Sequence, residues 1–292
     1  MYKIVEKRYL TPSIFLMKID APRVAEAAQP GQFVIVITDE LSERVPYTIA
    51  GLDLEAGTVD IVVQEVGPSS TKLGLLEAGD SIFDFAGPLG RPSDFMEMDI
   101  AELRKQRWLF VGGGVGVAPA YLQIKYFADN KIPFDVIVGA KSKDIIIYED
   151  ELRALTDNLY ITTDDGSYGM KGMVTDMIQE LVENQGIKYD HCVAIGPMVM
   201  MKFACLTTKK YEIPTTVSLN PIMVDGTGMC GACRVHVGDS TQFACVDGPE
   251  FDGHLVDFDL AMKRQRLYGD IEKKKGHAGE CMCKKQKAKE EK

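Results

Sequence analysis

The apolar residues of the first hundred positions fall into short segments instead of long helical stripes. These segments are rich in β-branched and aromatic residues and are bounded by Pro and Gly, which is typical of strands. The clearest of them cover residues 13–19, 32–37, 58–64 and 81–85. Six or so strands at this spacing predict a small closed β-barrel over residues 1–100.

From Trp108 onward the pattern changes to strands that alternate with helices. An apolar run leads into the glycines of residues 112–116, and helical spacing begins at Pro119. Later strands are predicted at 135–139, 159–162, 192–195 and 215–218, with helices near 148–156, 174–183 and 198–207. Such alternation predicts a Rossmann-like parallel sheet, which binds its ligand at the carboxyl ends of the strands.

A loop rich in glycine and cysteine follows at residues 225–245. Its Asp225, Cys230, Cys233 and Cys245 have the spacing D-x4-C-x2-C-x11-C. Plant-type two-iron ferredoxins use C-x4-C-x2-C and a more distant fourth Cys. The intervening glycines leave backbone N–H groups free to face sulfide. We therefore predict a [2Fe–2S] cluster with Asp225 as an oxygen ligand, and a hairpin that returns Cys245 to the other ligands.

Other metal and thiol chemistries compete for the same cysteines. A zinc site with three Cys ligands and one Asp ligand uses the same ligand types, so this alternative is not excluded. A thioredoxin-like pair of Cys230 and Cys233 explains neither Asp225 nor the glycines. Near the end of the chain, Cys281 and Cys283 with His277 invite a second metal hypothesis, although a Cys pair in a Lys-rich tail more often has no such role.

Composition and charge narrow the class of protein. The 292 residues suggest about two domains, and a hydrophobic content of 46% is ordinary for a soluble protein. A net charge of −10 gives no indication of a nucleic-acid surface. The amino terminus lacks the apolar core of a signal peptide, and charges or glycines interrupt every long apolar run. We therefore expect no membrane span and a cytoplasmic location.

The segments SLNPIMVDGTGMCGACRV and FACVDGPEFDGH carry a family resemblance. They closely resemble the small subunit of NADH-dependent ferredoxin:NADP+ oxidoreductase and the sulfide dehydrogenase electron-transfer subunit, in the ferredoxin–NADP+ reductase superfamily. The electron-transfer subunit of dihydroorotate dehydrogenase is a more distant relative that usually has Cys where this chain has Asp225. The resemblance covers about residues 1–268. It implies an FAD-binding barrel (1–100), an NAD(P)-binding α/β domain (101–218) and a [2Fe–2S] module with a helix (219–268). The Lys-rich residues 269–292 lie beyond the resemblance, and their charge predicts a mobile tail.

The resemblance assigns FAD contacts to two segments of the barrel. In the segment RVPYTIA, Tyr47 would stack on the flavin, Thr48 would hydrogen-bond its reactive nitrogen, and Arg44 would neutralise the pyrophosphate. Arg44 lies three residues before Tyr47, where the plant-type pattern has two. The full set of implied FAD contacts is Arg44, Pro46, Tyr47, Thr48, Gly67, Ser69, Ser70 and Thr71. An edge strand with a Pro, and simple helix capping by Ser69 or Ser70, are the alternatives.

The nucleotide site is implied by a G-x-G-x-A-P segment and by two later turns. The expected NAD(H) contacts are Gly113, Gly114, Val115, Gly116, Asp164, Asp165, Gly166, Gly196, Pro197 and Met198. A glycine turn that serves only strand–helix packing is the alternative. Lys141 and Lys143 could hold the 2′-phosphate of NADP(H), so the choice of nucleotide stays open. Ile195 stands where plant-type reductases have a Cys.

The cofactors implied by the resemblance form a chain, because a flavin can accept a hydride and release single electrons to a cluster. No catalytic acid, base or nucleophile is expected. The implied protein is a subunit of a flavin-based electron-bifurcating complex, whose larger flavin and iron–sulfur partner reaches ferredoxin. A sulfide or polysulfide partner, a dihydroorotate dehydrogenase partner, and a non-catalytic zinc-stabilised scaffold are the alternatives.

Overall fold

The computed structural model describes residues 1–267, and their amino-terminal part is the predicted barrel. Its strands are β1 Tyr2–Thr11, β2 Ile14–Asp20, β3 Phe33–Ile37, β4 Val45–Asp53, β5 Thr58–Gln64, β6 Ser81–Ile82 and β7 Asp84–Leu89, and its helices are α1 Pro22–Ala27 and α2 Pro68–Gly74. The strands pair antiparallel in the order β6-β1-β2-β5-β4-β3-β7, which forms a nearly closed barrel.

Strand β3 is apolar at every position, instead of alternating between apolar and polar residues, because both of its faces are buried. Val34 and Val36 point into the barrel core, whereas Phe33 and Ile35 belong to a second core that includes Met223 and Val235 of the carboxy-terminal module. A strand buried on both faces reads as a continuous apolar run. The barrel and the cysteine-bearing module therefore share a packed interface.

The second sheet has the predicted parallel strands. It contains β8 Trp108–Gly113, β9 Phe134–Ala140, β10 Leu159–Thr163, β11 Met170–Lys171, β12 His191–Ile195 and β13 Thr215–Ser218, and it carries α4 Val117–Asp129, α5 Glu149–Arg153, α6 Val174–Gln179 and α7 Met198–Lys210. A 3-10 turn at Asp94–Glu97 and the short helix α3 Ile100–Leu103 connect it to the barrel. The carboxyl ends of the six parallel strands form one edge, as a nucleotide site requires.

The cysteine-bearing module is built on the predicted hairpin. It comprises β14 Arg234–Val237, β15 Ser240–Phe243, β16 Glu250–Asp252 and α8 Phe258–Gln265. Strand β16 pairs antiparallel with β13 and so extends the parallel sheet by one strand. This pairing fixes the module to the nucleotide domain, across the boundary predicted at residue 218.

Several predicted helix bounds differ from the observed ones. The helix predicted from residue 255 begins at Phe258, because the Asp257 carboxylate accepts the Leu260 N–H at 2.9 Å and caps it there. The helix predicted from residue 148 begins one residue later, since Tyr148 has a left-handed φ of 60°. The tail predicted for 269–292, with Cys281 and Cys283, lies outside the described residues. Among residues 1–267, no helix is long and apolar enough to cross a membrane.

Candidate functional site

The predicted cluster ligands lie on the loop before β14 and on the turn after β15. Cys233 and Cys245 are buried, and their Sγ atoms are 3.2 Å apart. The hairpin brings them together, because the Ala244 N–H donates to the Cys233 carbonyl. Cys230 is exposed on the same loop. Hydrogen bonds from backbone N–H groups lower the pKa of its thiol, and the N–H of Ala232 has the largest effect. Burial instead raises the pKa of Cys245 to about 12.

Asp225 is held by its own loop. Its Oδ2 accepts the Thr227 N–H at 2.9 Å, the Thr227 hydroxyl at 2.5 Å and the Met229 N–H at 3.2 Å. These bonds, led by the Thr227 hydroxyl, lower the pKa of the carboxyl. In the described part of the chain, no three His, Cys, Asp or Glu side chains converge on a single metal ion. The loop before β14 and the turn after β15 together provide three thiols and an ionised carboxylate, and this donor set fits an iron–sulfur cluster.

The segment of residues 225–245 that bears the predicted ligands, called the cluster loop below, lies directly against the barrel. Gly226 has a φ of +84°, and a Cβ at this position would lie 2.9 Å from Ile35 Cγ1. Arg44, just before β4, donates from Nε to the Val224 carbonyl and from Nη2 to the Asp225 carbonyl, each at 3.0 Å. The structure therefore connects the segment predicted for FAD to the segment predicted for the cluster.

Tyr47 and Thr48 lie on β4, opposite Val34 and Phe33 of β3. Both side chains are half-buried, and burial raises the pKa of the Tyr47 phenol well above its usual value. Pro46 is paired with Ile35 on the same ladder. The strand thus presents an aromatic ring followed by a hydroxyl, and these groups fit a stacked flavin and a hydrogen bond to its edge.

The second predicted FAD segment opens α2. Ser70 Oγ accepts the N–H groups of Val66 and Gly67 at 3.0 and 3.1 Å, so this serine caps the helix. Ser69 donates its hydroxyl to Glu43 at 2.6 Å. At Gly67 an added Cβ would meet nothing within 4 Å, so the backbone is open there. Thr71 continues the helix through its N–H bond to the Gly67 carbonyl.

The glycines after β8 fall into two classes. A Cβ on Gly113 would collide with Met200, and one on Gly116 would collide with the Ile195 carbonyl, so these glycines allow close packing against the turn after β12. Gly114 has a φ of +55°, and an added Cβ there would meet nothing within 4 Å. Val115 is half-buried in the same 3-10 turn. Packing therefore fixes the loop at Gly113 and Gly116, while Gly114 leaves a cradle that a Cβ would fill and that fits the predicted nucleotide contact.

The other two predicted nucleotide turns lie at the same edge of the sheet. Asp164, Asp165 and Gly166 follow β10 and are exposed. Gly196 and Pro197 follow β12, and Met198 is buried at the start of α7. The structure brings the three turns to one edge of the sheet, where the predicted contacts would meet one ligand.

Sequence reasoning missed Glu250. Gln123 of α4 donates to its carboxylate at 2.6 Å, and a Cβ on Gly31 of the barrel would lie 3.2 Å from it. Burial raises the pKa of Glu250 to about 7. The residue also lines a cavity of about 390 Å³ with Trp108 and His191, at the starts of β8 and β12 and thus far from the nucleotide turns. The sequence around it looks like an ordinary polar turn, and the sheet pairing of β16 leaves it half-buried.

Replacing Glu250 by Gln is expected to change the pH dependence of stability. In the folded state, the pKa of Glu250 is raised from 4.5 to about 7. The protonated side chain therefore contributes fully to stability below pH 4.5, and this contribution is lost as the pH rises through 7. Between about pH 5 and pH 8, the free energy of unfolding of the wild type should therefore fall by about 2 kcal/mol more than that of Glu250→Gln. Urea unfolding measures this difference. The exposed-site control Glu55→Gln should follow the wild type, and an identical pH dependence in all three proteins would contradict the raised pKa of Glu250.

Comparisons with known proteins agree with this geometry. Residues 110–206 match the oxidoreductase NAD-binding domain, and residues 220–257 match the iron–sulfur cluster binding domain of dihydroorotate dehydrogenase B. The chain is 59% identical to an uncharacterized protein in the adh 3′ region of Clostridium beijerinckii, over 92% of this chain and 90% of that protein. It is 44% identical to a dihydroorotate dehydrogenase B (NAD(+)) electron transfer subunit homolog of Thermotoga maritima, over 93% of each chain.

A solved structure is similar over nearly the whole length. This structure is of an NADH-dependent reduced ferredoxin-NADP oxidoreductase, studied for flavin-based electron bifurcation. The match has a TM-score of 0.87 and 42% identity, and it covers 95% of this chain and 97% of the other. The barrel, the parallel-sheet domain and the carboxy-terminal iron–sulfur domain therefore form one architecture that this chain shares with that protein.

Proposed function

The chain belongs to the family of dihydroorotate dehydrogenase B electron-transfer subunits, and on that basis we propose that it passes electrons between NAD(H), FAD and a [2Fe–2S] cluster within a flavin-based electron-bifurcating complex. One observation carries the proposal. The strand that bears Tyr47 and Thr48 lies beside the strand that packs on the cluster loop, and Arg44 joins the two segments. Two redox sites on adjoining elements are the arrangement that electron transfer within one chain requires.

Each module has a separate task. Tyr47 and Thr48 orient the flavin at the barrel, and the open backbone at Gly114 admits the nicotinamide nucleotide. Asp225, Cys230, Cys233 and Cys245 hold the cluster. When bound, FAD supplies the step between a two-electron hydride donor and a one-electron acceptor. The protein contributes positions and local charge, and no side chain acts as acid, base or nucleophile.

The partner is a larger flavin- and iron–sulfur-containing subunit that exchanges electrons with ferredoxin and with NADP(H). Support comes from the similar bifurcating oxidoreductase and from relatives whose names describe them as electron-transfer subunits. A dihydroorotate dehydrogenase partner is the second candidate, because several relatives carry that name. A sulfide- or polysulfide-reducing enzyme is a further candidate partner, and this chain would be its electron-transfer subunit as well.

Purification of the chain from its own cells without oxygen identifies the partner. Mass spectrometry of the co-purifying subunit, followed by assays with ferredoxin plus NADP+ and with dihydroorotate, separates the candidates. Reduction of NADP+ by NADH and reduced ferredoxin together supports the bifurcating complex. Oxidation of dihydroorotate with NAD+ as the electron acceptor, and without ferredoxin, would instead place the chain in a dihydroorotate dehydrogenase.

Replacing Tyr47 and Thr48 together by Ala is expected to release FAD. The double variant loses a stacked ring and a hydrogen bond, which together contribute about 2 kcal/mol, or roughly thirtyfold in affinity. Gel filtration with absorbance at the flavin band measures the FAD that each protein retains. Leu52→Ala, further along β4, should keep its FAD. Equal retention in the double variant and the wild type would show that these residues do not hold the flavin.

Removal of the acidic pair after β10 is expected to improve the use of NADPH. Asp165 accepts the Ser167 N–H at 2.9 Å, and hydrogen bonds from Ser167 lower the pKa of its carboxyl, so it is charged at neutral pH. A carboxylate at this turn favours a ribose hydroxyl and repels a 2′-phosphate. Lys143 points its ammonium at the Tyr168 ring, 4.8 Å from the centroid.

The double variant Asp164→Asn/Asp165→Asn should therefore raise the ratio of kcat/KM for NADPH to that for NADH by about tenfold. Steady-state reduction of a dye by each nucleotide measures this ratio. The control Asp157→Asn, at the opposite end of β10, should leave the ratio unchanged. A ratio that does not change in the double variant would remove these acids from the nucleotide site.

A further inference from the structure

Arg44 makes a polar connection between the FAD barrel and the cluster loop. Its Nε and Nη2 atoms donate to two successive carbonyls, those of Val224 and Asp225, at 3.0 Å each. The partners are 180 and 181 residues away in sequence. The planar guanidinium suits two adjacent acceptors, whereas an ammonium group is a single point donor.

The second of these carbonyls belongs to the residue that we assign as the oxygen ligand of the cluster. The Asp225 side chain is fixed on its other side by the Thr227 and Met229 N–H groups. Gly226 then brings the backbone against Ile35 of the barrel. Arg44, just before β4, thus holds the Val224 and Asp225 carbonyls, and Gly226 packs the next residue against β3.

We propose that Arg44 is a positioning residue for the iron–sulfur cluster, and not a ligand of the FAD pyrophosphate. It fixes the backbone of the Asp225 ligand and places a permanent positive charge beside a cluster that becomes more negative on reduction. Hydrogen bonds to ligands and nearby charge are established controls of cluster potential. The proposal rests on the proposed function, because it requires that the loop hold a cluster.

The test uses the full chain purified without oxygen, with the variants Arg44→Gln and Arg44→Lys. Arg23→Gln is the matched control, since it removes the same charge from an exposed position on α1 of the barrel. FAD, iron and sulfide are counted per chain, and an EPR-monitored redox titration gives the midpoint potential of the cluster. The rate of iron loss to a chelator reports how firmly the loop holds the cluster.

Arg44→Gln should keep the wild-type FAD content. Its cluster should be harder to reduce, with an equilibrium constant about tenfold lower, or about 59 mV for one electron. Arg44→Lys should lie closer to wild type in potential because it keeps the charge, yet lose iron faster because it cannot bind both carbonyls. Arg23→Gln should match the wild type in all measurements.

Other outcomes overturn the proposal. Loss of FAD from Arg44→Gln with an unchanged cluster would assign Arg44 to the pyrophosphate. Wild-type potential and iron retention in both Arg44 variants would leave it no role at the cluster. A wild-type protein that holds FAD but no iron would refute the proposed function itself, and the wild type alone is enough to reveal that result.

Discussion

The iron content is expected to fall from about two atoms per chain to nearly none when Cys233 is replaced by Ser. Cys233 is 1% exposed, and its Sγ lies 3.2 Å from that of Cys245. A buried hydroxyl is a poor substitute for a thiolate, and the packed surroundings leave no room for another donor to move in. Iron and sulfide analysis of the anaerobically purified protein measures the loss.

Reduction of FAD by NADH should survive in the same variant, because the hydride step needs only the nicotinamide and the flavin in contact. Cys205→Ser is the matched control, since Cys205 is also buried but belongs to α7 and not to the predicted ligand set. The control should keep its iron. A Cys233→Ser protein that retains two irons would remove this cysteine from the ligand set.

Replacing Gly114 by Val is expected to slow the reduction of FAD by NADH by about 10²-fold while FAD stays bound. The added side chain would enter space that is open at this position and that we assign to the nucleotide. A displaced nicotinamide no longer meets the flavin at the distance that hydride transfer requires. Stopped-flow measurement of flavin bleaching gives the rate, and the flavin absorbance gives the FAD content.

A control must separate slower FAD reduction caused by backbone strain at position 114 from slower reduction caused by a side chain in the nucleotide site. Gly114 has a φ of +55°, where a β-branched residue is strained whatever the space. Gly186 has a φ of +67° and also nothing within 4 Å of an added Cβ, but it lies on an exposed turn after α6. Gly186→Val should therefore carry similar strain and keep the wild-type rate. Equal slowing in both variants would attribute the effect to folding.

Local pattern is sufficient to predict the barrel, the parallel sheet and the hairpin. Turn residues and β-branched segments mark the strands of the barrel, and the glycines after β8 mark the start of a nucleotide domain. The cluster loop is equally local, because Asp225, Cys230, Cys233 and Cys245 lie within 21 residues of one another at a recognisable spacing. Their assignment as ligands stays a prediction, which the iron analysis of the Cys233 variant tests.

Contacts between distant segments cannot be predicted in the same way. The sequence neighbours of Arg44 suggest a role at a pyrophosphate, yet its hydrogen-bond partners are 180 and 181 residues away. Glu250 looks like a turn residue, and the pairing of β16 with β13 places it half-buried beside α4, where Gln123 binds it. Such long-range pairings depend on how the three modules pack together, and no periodic pattern in the sequence encodes that packing.

Anaerobic titration of the isolated chain with NADH tests electron transfer through this protein most directly. Visible absorbance follows the flavin, EPR follows the cluster, and metal analysis counts iron and zinc. The expected result is flavin bleaching accompanied by the paramagnetic signal of a singly reduced two-iron cluster, with about two irons per chain. One zinc and no iron per chain, with no paramagnetic cluster signal after NADH is added, would contradict the electron-transfer function.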